Sequence, residues 1–252
     1  GLLGAGVQVV TPFKYDSIDR FEIDHAVAKI DGKVGLLDAN GREVVPCIYD
    51  RIVPIGLYAD DYHYVQEGMI QVQLNGKYGF VNTAGEQVVP CKYDDVQNFS
   101  DGYAAVGIGT GEFYQPSNRP VCLWGMIDAT GREVVPCQYD PATDNVGQGF
   151  LAVRQNGKYG LVNAENQLIV PYKYDGINTF IDGCAVVYQN DQCGYIDKTG
   201  KEIVPCKYDM TFGFSEGLAA LWKGDYRGYV DTTGKVVIPF QYVSASDFSE
   251  GL

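Results

Sequence analysis

The stretch Gly194-Tyr195-Ile196-Asp197-Lys198-Thr199-Gly200-Lys201-Glu202-Ile203-Val204-Pro205-Cys206-Lys207-Tyr208-Asp209 decides how this chain is built, because it returns along the whole length. Gly79 to Asp94 reads GFVNTAGEQVVPCKYD, Gly125 to Asp140 reads GMIDATGREVVPCQYD, and Gly160 to Asp175 reads GLVNAENQLIVPYKYD. The opening glycines fall at Gly35, Gly79, Gly125, Gly160, Gly194 and Gly228, in steps of 44, 46, 35, 34 and 34. The matching prolines, Pro12, Pro46, Pro90, Pro136, Pro171, Pro205 and Pro239, are spaced by 34, 44, 46, 35, 34 and 34. The unit is therefore 34 residues, and two copies are lengthened by 10 and 12. Periods of this size belong to arrays, propellers and solenoids.

Each unit reads as β. In the last full copy Leu218 to Trp222 is an apolar run, followed by the turn-like Lys223-Gly224-Asp225. Gly228 to Asp231 is a second run, Thr232-Thr233-Gly234 a second turn, and Lys235 to Ile238 a third run closed by Pro239. Short runs rich in Val, Ile and Tyr, bounded by Gly and Asp, are strand signals. Helical i, i+3, i+4 spacing is not sustained in any window. Proline has no N–H for a ladder, so each is expected at a strand end or on an edge. The segment after it, as in Lys92-Tyr93-Asp94-Asp95-Val96, supplies a short fourth strand. Alternation puts Tyr78 and Phe80 on one face and Val81 on the other, so both faces are apolar. Such a sheet needs a neighbour on each side, which the adjoining repeat supplies.

The order aromatic-Gly-aromatic-aliphatic-Asp, then Gly-Lys-x-Val-Val-Pro, then Tyr-Asp, then Phe-Ser-Glu-Gly-Leu-Ala resembles the WG (KWG) repeats of bacterial proteins. Trp124-Gly125 keeps the name-giving pair, while the tryptophan position elsewhere holds Val34, Tyr78, Tyr159, Cys193 and Arg227. The resemblance covers nearly the whole chain and implies a binding or scaffold module with no shared chemistry. The expected fold is all-β: tandem repeats of about 34 residues, each a three- to four-stranded antiparallel meander, stacked as an open curved array. A seven-bladed propeller is the alternative. One array is expected over 1–252, as a partial repeat 1–16, repeats 17–50, 51–94, 95–140, 141–175, 176–209 and 210–243, and the start of another at 244–252. With both ends inside repeats, the chain is expected to be a fragment of a longer bacterial protein, its compartment unassigned.

The net charge of −13 sets the chain against a nucleic-acid partner, whose phosphates it would repel. No apolar run is long enough to cross a membrane as a helix. Of seven cysteines, Cys47, Cys91, Cys137 and Cys206 share the register after the proline, where other copies hold Phe13, Tyr172 and Phe240. A position that accepts Cys, Phe or Tyr is a packing site, where a free thiol acts as a small hydrophobe. Cys-x-x-Cys is absent, and His25 and His63 stand in unrelated contexts, so neither metal nor cofactor is expected. A hairpin turning at Gln189–Gln192 would pair Cys184 with Asp197 rather than with Cys193.

The two long copies carry the candidate binding residues. One insertion contains Tyr58, Tyr62, His63 and Tyr64; aromatic side chains with polar tips suit a binding loop. The other, Gly109 to Pro120, is a Gly/Pro-rich inserted loop with Phe113-Tyr114 at its centre. Insertions into repeats often gather on a binding face. The carboxylates at Asp38, Asp128, Asp197 and Asp231 precede a turn glycine and read as turn chemistry rather than a calcium loop. A second series follows tyrosine, at Asp16, Asp50, Asp94, Asp140, Asp175 and Asp209; one acid per repeat reads as a structural hydrogen bond. With no nucleophile elbow or phosphate loop, the expectation is a non-enzymatic module that binds a protein. Carbohydrate binding through exposed tyrosines, and a plain structural spacer, are the alternatives.

Overall fold

The computed structural model describes residues 14–19, 25–55, 63–115, 117, 119–140 and 144–244. It divides into two compact units, 1–133 and 134–252. The first contains β1 (Ser17–Ile18), β2 (His25–Ile30), β3 (Lys33–Asp38) and β4 (Glu43–Tyr49), paired in that order. Next come β5 (Arg51–Ile52), β6 (Met69–Leu74), β7 (Lys77–Asn82) and β8 (Gln87–Tyr93), again in order. β9 (Asp95–Val96), β10 (Tyr103–Tyr114) and β11 (Arg119–Asp128) follow, and β12 (Glu133–Tyr139) begins at the boundary between the units.

In the second unit one sheet runs β13 (Asp144–Asn145), β14 (Phe150–Gln155), β15 (Lys158–Asn163) and β16 (Leu168–Tyr174). The next is β17 (Gly176–Ile177), β18 (Cys184–Gln189), β19 (Gln192–Asp197) and β20 (Glu202–Tyr208). The last is β21 (Met210–Ser215), β22 (Leu218–Lys223), β23 (Tyr226–Asp231) and β24 (Val236–Tyr242). All the strand pairings are antiparallel, none of these sheets closes into a barrel, and no helix occurs among the described residues. The fold is thus all-β and built of tandem meanders. The first strand is only two residues long in most copies, so four strands form where the pattern offered three clear ones.

The proline does not end the strand. β20 runs through Pro205 to Tyr208, and the register shifts between Cys193↔Tyr208 and Tyr195↔Val204. The extra residues form a bulge on the outermost strand of the sheet, where a missing N–H leaves no ladder bond unmade. The bulge also explains the opening glycine. A Cβ on Gly194 would lie 2.4 Å from the Val204 carbonyl oxygen and 2.8 Å from the Cys206 nitrogen. Only a residue without a side chain lets β20 fold over β19.

Adjacent repeats within each unit share their cores. Leu36, Val45 and Tyr49 of one repeat pack with Ile52, Ile70 and Val81 of the next. In the second unit Ala152, Leu161 and Tyr174 meet Ile177, Phe180 and Val187, and Cys193 and Tyr195 meet Phe214, Ala219 and Val230. Each buried aliphatic side chain contributes roughly 1.5–3 kcal/mol of transfer free energy, so a repeat without its neighbour forfeits the larger part of its core. The Asp-x-x-Gly turn adds a second contact. Gly234 has φ +84°, and a Cβ there would lie 2.0 Å from the carbonyl oxygen of Ile203 in the preceding repeat.

Candidate binding site

Both recurring carboxylate series bond to backbone. Asp197 Oδ1 accepts from the N–H groups of Thr199 (2.9 Å) and Lys201 (3.1 Å), the side chain-to-backbone closure of an Asx turn. Asp128 and Asp231 do the same, and Asn82 and Asn163 substitute for them in two copies. The aspartate after tyrosine reaches across to the next repeat. Asp16, Asp50, Asp94, Asp175 and Asp209 accept hairpin N–H groups from Asp31 (2.7 Å), Asn75 (2.5 Å), Gly109 (2.8 Å), Asn190 (2.8 Å) and Gly224 (2.6 Å). A lysine from its own repeat pairs with the same carboxylate at Lys33–Asp50 (2.5 Å), Lys77–Asp94 (2.6 Å) and Lys158–Asp175.

These clasps locate the departure of the long hairpin. Elsewhere β6–β7 and its equivalents turn over two residues, as at Asn75-Gly76 with φ values of 53° and 75°, the positive pair that a type I′ turn requires. In β10 the N–H that meets the carboxylate belongs to Gly109, and there the chain continues instead of turning. β10 and β11 stay paired from Tyr103↔Asp128 to Gly109↔Cys122, shift register, and resume at Phe113↔Pro120 and Tyr114↔Arg119. Gly111, at φ +89°, lies within the shift. Thr110 Oγ1 donates to the Val121 carbonyl (3.0 Å), and Arg119 pairs with Asp95 of β9 (2.8 Å). The Gly/Pro-rich stretch read from the sequence as a loop is therefore a β-ribbon. Its glycines serve the register shift, and Pro120 keeps its carbonyl while giving up only a donor.

Phe113 and Tyr114 stand near the end of that ribbon, 52% and 49% exposed. As neighbours in a strand they face opposite sides. Phe113 borders a cleft of about 480 Å³ between the ribbon and the β6–β7 hairpin, with Tyr78, Gln73, Lys77, Asp94 and Glu112 around it. Burial pushes the Asp94 carboxyl up, but the Lys77 ammonium and the Gly109 N–H outweigh it and hold the group below its ordinary value. Sequence reasoning missed the cleft's polar members. The signal available was the Gly-Lys-Tyr-Gly of one repeat followed by the lengthened hairpin of the next.

The first insertion places its residues differently. His63 exchanges backbone hydrogen bonds with Ile55, at 2.6 and 2.9 Å, which closes the base of the loop. Tyr64 is half-buried against the Leu36–Val81 core cluster. Tyr58 and Tyr62 lie outside the described residues. Neither His63 nor Tyr64 lines the cleft beside Phe113. The cysteines that follow the prolines are half-buried and outside any disulfide, and Cys184 pairs with Asp197 across its hairpin. No cluster of metal-ligating side chains occurs among the described residues.

The model of the WG containing repeat matches residues 8–33, 35–55, 78–109, 124–159, 159–193, 194–225 and 228–252. The chain belongs to this WG repeat family. The match at 78–109 stops at the residue where the ribbon leaves the common hairpin, and the next resumes at Trp124, so the extension is foreign to the WG unit. No protein of curated function matches the chain. Among solved structures it resembles a eukaryotic initiation factor, with TM-score 0.49 and 11% identity over 84% of this chain and 62% of that one. It also resembles Hsv2p of Kluyveromyces lactis, with TM-score 0.42 and 9% identity over 86% and 79%. A third is PorZ, a surface component of the type-IX secretion system of Porphyromonas gingivalis, with TM-score 0.33 and 11% identity over 92% and 33%. The WG chain thus spans less than two thirds of the initiation factor and a third of PorZ.

Proposed function

We propose that this WG repeat chain is a non-enzymatic binding module, and that the β10–β11 ribbon is its contact point for a protein partner. The observation that carries the reading is the aromatic pair Phe113-Tyr114, half-exposed on a ribbon that outruns its own sheet. β9 meets β10 only at Val106 and Gly107, so the outer edge of β10 beyond them has no neighbouring strand among the described residues. A free strand edge flanked by aromatic anchors is the equipment of β-augmentation, in which main-chain bonds give affinity and alternate side chains give specificity. Binding rather than catalysis is supported by the acids: both repeated series are engaged with backbone N–H groups or lysines.

Carbohydrate binding is the second reading, favoured by the cleft itself. Phe113 and Tyr78 both line it, with Gln73, Lys77 and Glu112 as polar neighbours. A photo-crosslinking residue at Phe113, with Tyr226 of the second unit as exposed control, separates the two. Protein adducts formed at 113, absent at 226 and competed by unlabelled chain support the proposal. Equal adducts at both positions, or adducts displaced by glycans alone, would overturn it.

A further inference from the structure

The second unit holds a cleft of about 490 Å³ that the ribbon does not touch. Its floor is Ile177, Cys184, Val186, Tyr195 and Phe214, all buried, and its rim includes exposed Asn178 and Ile181. In a chain with 32 acidic and 19 basic residues, the lining contains no Asp, Glu, Lys, Arg or His among the described residues.

The repeat shows why the space is there. The residue that opens the second strand of each sheet is His25, Met69, Phe150 or Leu218 in other copies, and Tyr103 in β10. Phe150 uses the position to pack its ring on Phe180 of the following repeat, centroids 5.0 Å apart. In β18 the same register holds Cys184, and the ring of Phe214 that follows packs on Tyr195, at 4.7 Å, as Phe99 packs on Phe80, at 4.9 Å, in the copy opened by Met69. The backbone is not displaced to compensate: Cys184 keeps both bridge bonds to Ile181, at 2.9 and 3.0 Å. The cleft therefore lies beside a position whose side chain is smaller than the Met69, Phe150 or Leu218 of other copies. Burial pushes the Cys184 thiol up, so at neutral pH it presents a small uncharged surface.

The adjoining hydroxyls are also tied down. Thr211 occupies the register of Ile52, Val96 and Ile177, and its hydroxyl donates to the Ala220 carbonyl at 2.8 Å. The Tyr195 hydroxyl therefore donates to Thr211.

We propose that this cleft binds an uncharged small molecule with both an apolar and a polar part, its ring or hydrocarbon body seated between Cys184 and Phe214 and its polar end at Asn178. The volume falls within the usual span for drug-sized ligands. An ionic ligand would leave water and meet no counter-charge among the lining residues. The inference is independent of the protein-binding role given to the ribbon.

The test uses the whole chain with two probes of one shape, 2-naphthol and naphthalene-2-sulfonate, titrated by NMR. Saturable binding of 2-naphthol with shifts at Ile177, Cys184 and Phe214, and binding of the sulfonate at least tenfold weaker, is the expected result. Cys184→Phe, which copies Phe150 into the gap, should raise the 2-naphthol Kd at least tenfold while the far-UV spectrum is unchanged. Cys184→Leu, which copies Leu218, keeps the test alive if the larger ring prevents folding, and should also weaken binding. Equal affinity for the sulfonate, or a folded filling variant whose Kd stays within twofold of the parent, overturns the proposal.

Discussion

A single glycine shows how each joint between repeats is made. Gly234 combines two demands, a left-handed backbone at φ +84° and a space filled by the Ile203 carbonyl 2.0 Å from where a Cβ would lie. Gly157, in a hairpin turn, has nearly the same φ of +81° with nothing within 4 Å. Gly157→Ala should therefore cost only the backbone penalty of about 1–2 kcal/mol. Gly234→Ala must also push the turn off the preceding strand, and should lower the melting temperature by at least twice as much. Thermal unfolding of the two variants decides it, and equal losses would mean that the turn can retreat from Ile203 at no cost. At this scale the sequence was legible where it repeated. Asp197 before Gly200 read as turn chemistry, and the turn forms; Cys206 after Pro205 read as a packing site, and it is half-buried. The role of Gly194 was only partly legible, because the bulge that presses on it arises from residues ten positions later in the chain.

The ribbon is the element that departs from the pattern, and it can be removed in register. Val106↔Gly125, Gly107↔Trp124 and Ile108↔Leu123 correspond to Val72↔Gly79, Gln73↔Tyr78 and Leu74↔Lys77. Replacing residues 109–122 by Asn-Gly should hence restore the type I′ turn that Asn75-Gly76 makes. What is lost is mostly exposed: Phe113, Tyr114 and an Arg119–Asp95 pair whose arginine is 69% exposed, worth less than about 1 kcal/mol. The trimmed chain should melt within a few degrees of the parent yet lose the crosslinks formed at 113. A collapse in stability on trimming would show that the ribbon braces the sheet rather than serving a partner. The sequence placed this insertion and its aromatic pair but gave it as a loop, since Gly109, Gly111, Pro116 and Pro120 are turn signals when read locally. Cross-strand pairing overrode them. In the other insertion, Tyr64 packs half-buried on a neighbouring apolar core, a contact made with residues distant in the sequence.

Over the whole molecule, acidity acts in two opposing directions. Several carboxyls lie below their ordinary range in the folded chain. For Asp175 the Lys158 ammonium is the main cause and the Asn190 N–H the second; for Asp197, burial pushes up and the Thr199 and Lys201 bonds outweigh it. A depressed folded pKa contributes stability that is present above the unfolded value and disappears as pH falls through the folded one. This contribution should therefore be intact at neutral pH and decay from about pH 4 downward. Against it stands the formal charge of −13, whose self-repulsion loosens the compact state most at neutral pH and low salt. Salt screens that excess, and it also weakens the Lys–Asp clasps; these are partly exposed pairs of small individual value, so relief of the repulsion should prevail. Thermal unfolding from pH 3 to 8, in 20 and 200 mM salt, should show a higher melting temperature in salt at pH 7. The salt effect should vanish near the isoelectric point of about 4.5, and the melting temperature should fall steeply below pH 4 in both buffers. Asp94→Asn, which cannot be protonated where Asp94 can, should flatten that acid limb. A limb that keeps its slope in the variant would place the acid sensitivity outside the Asp94 clasp.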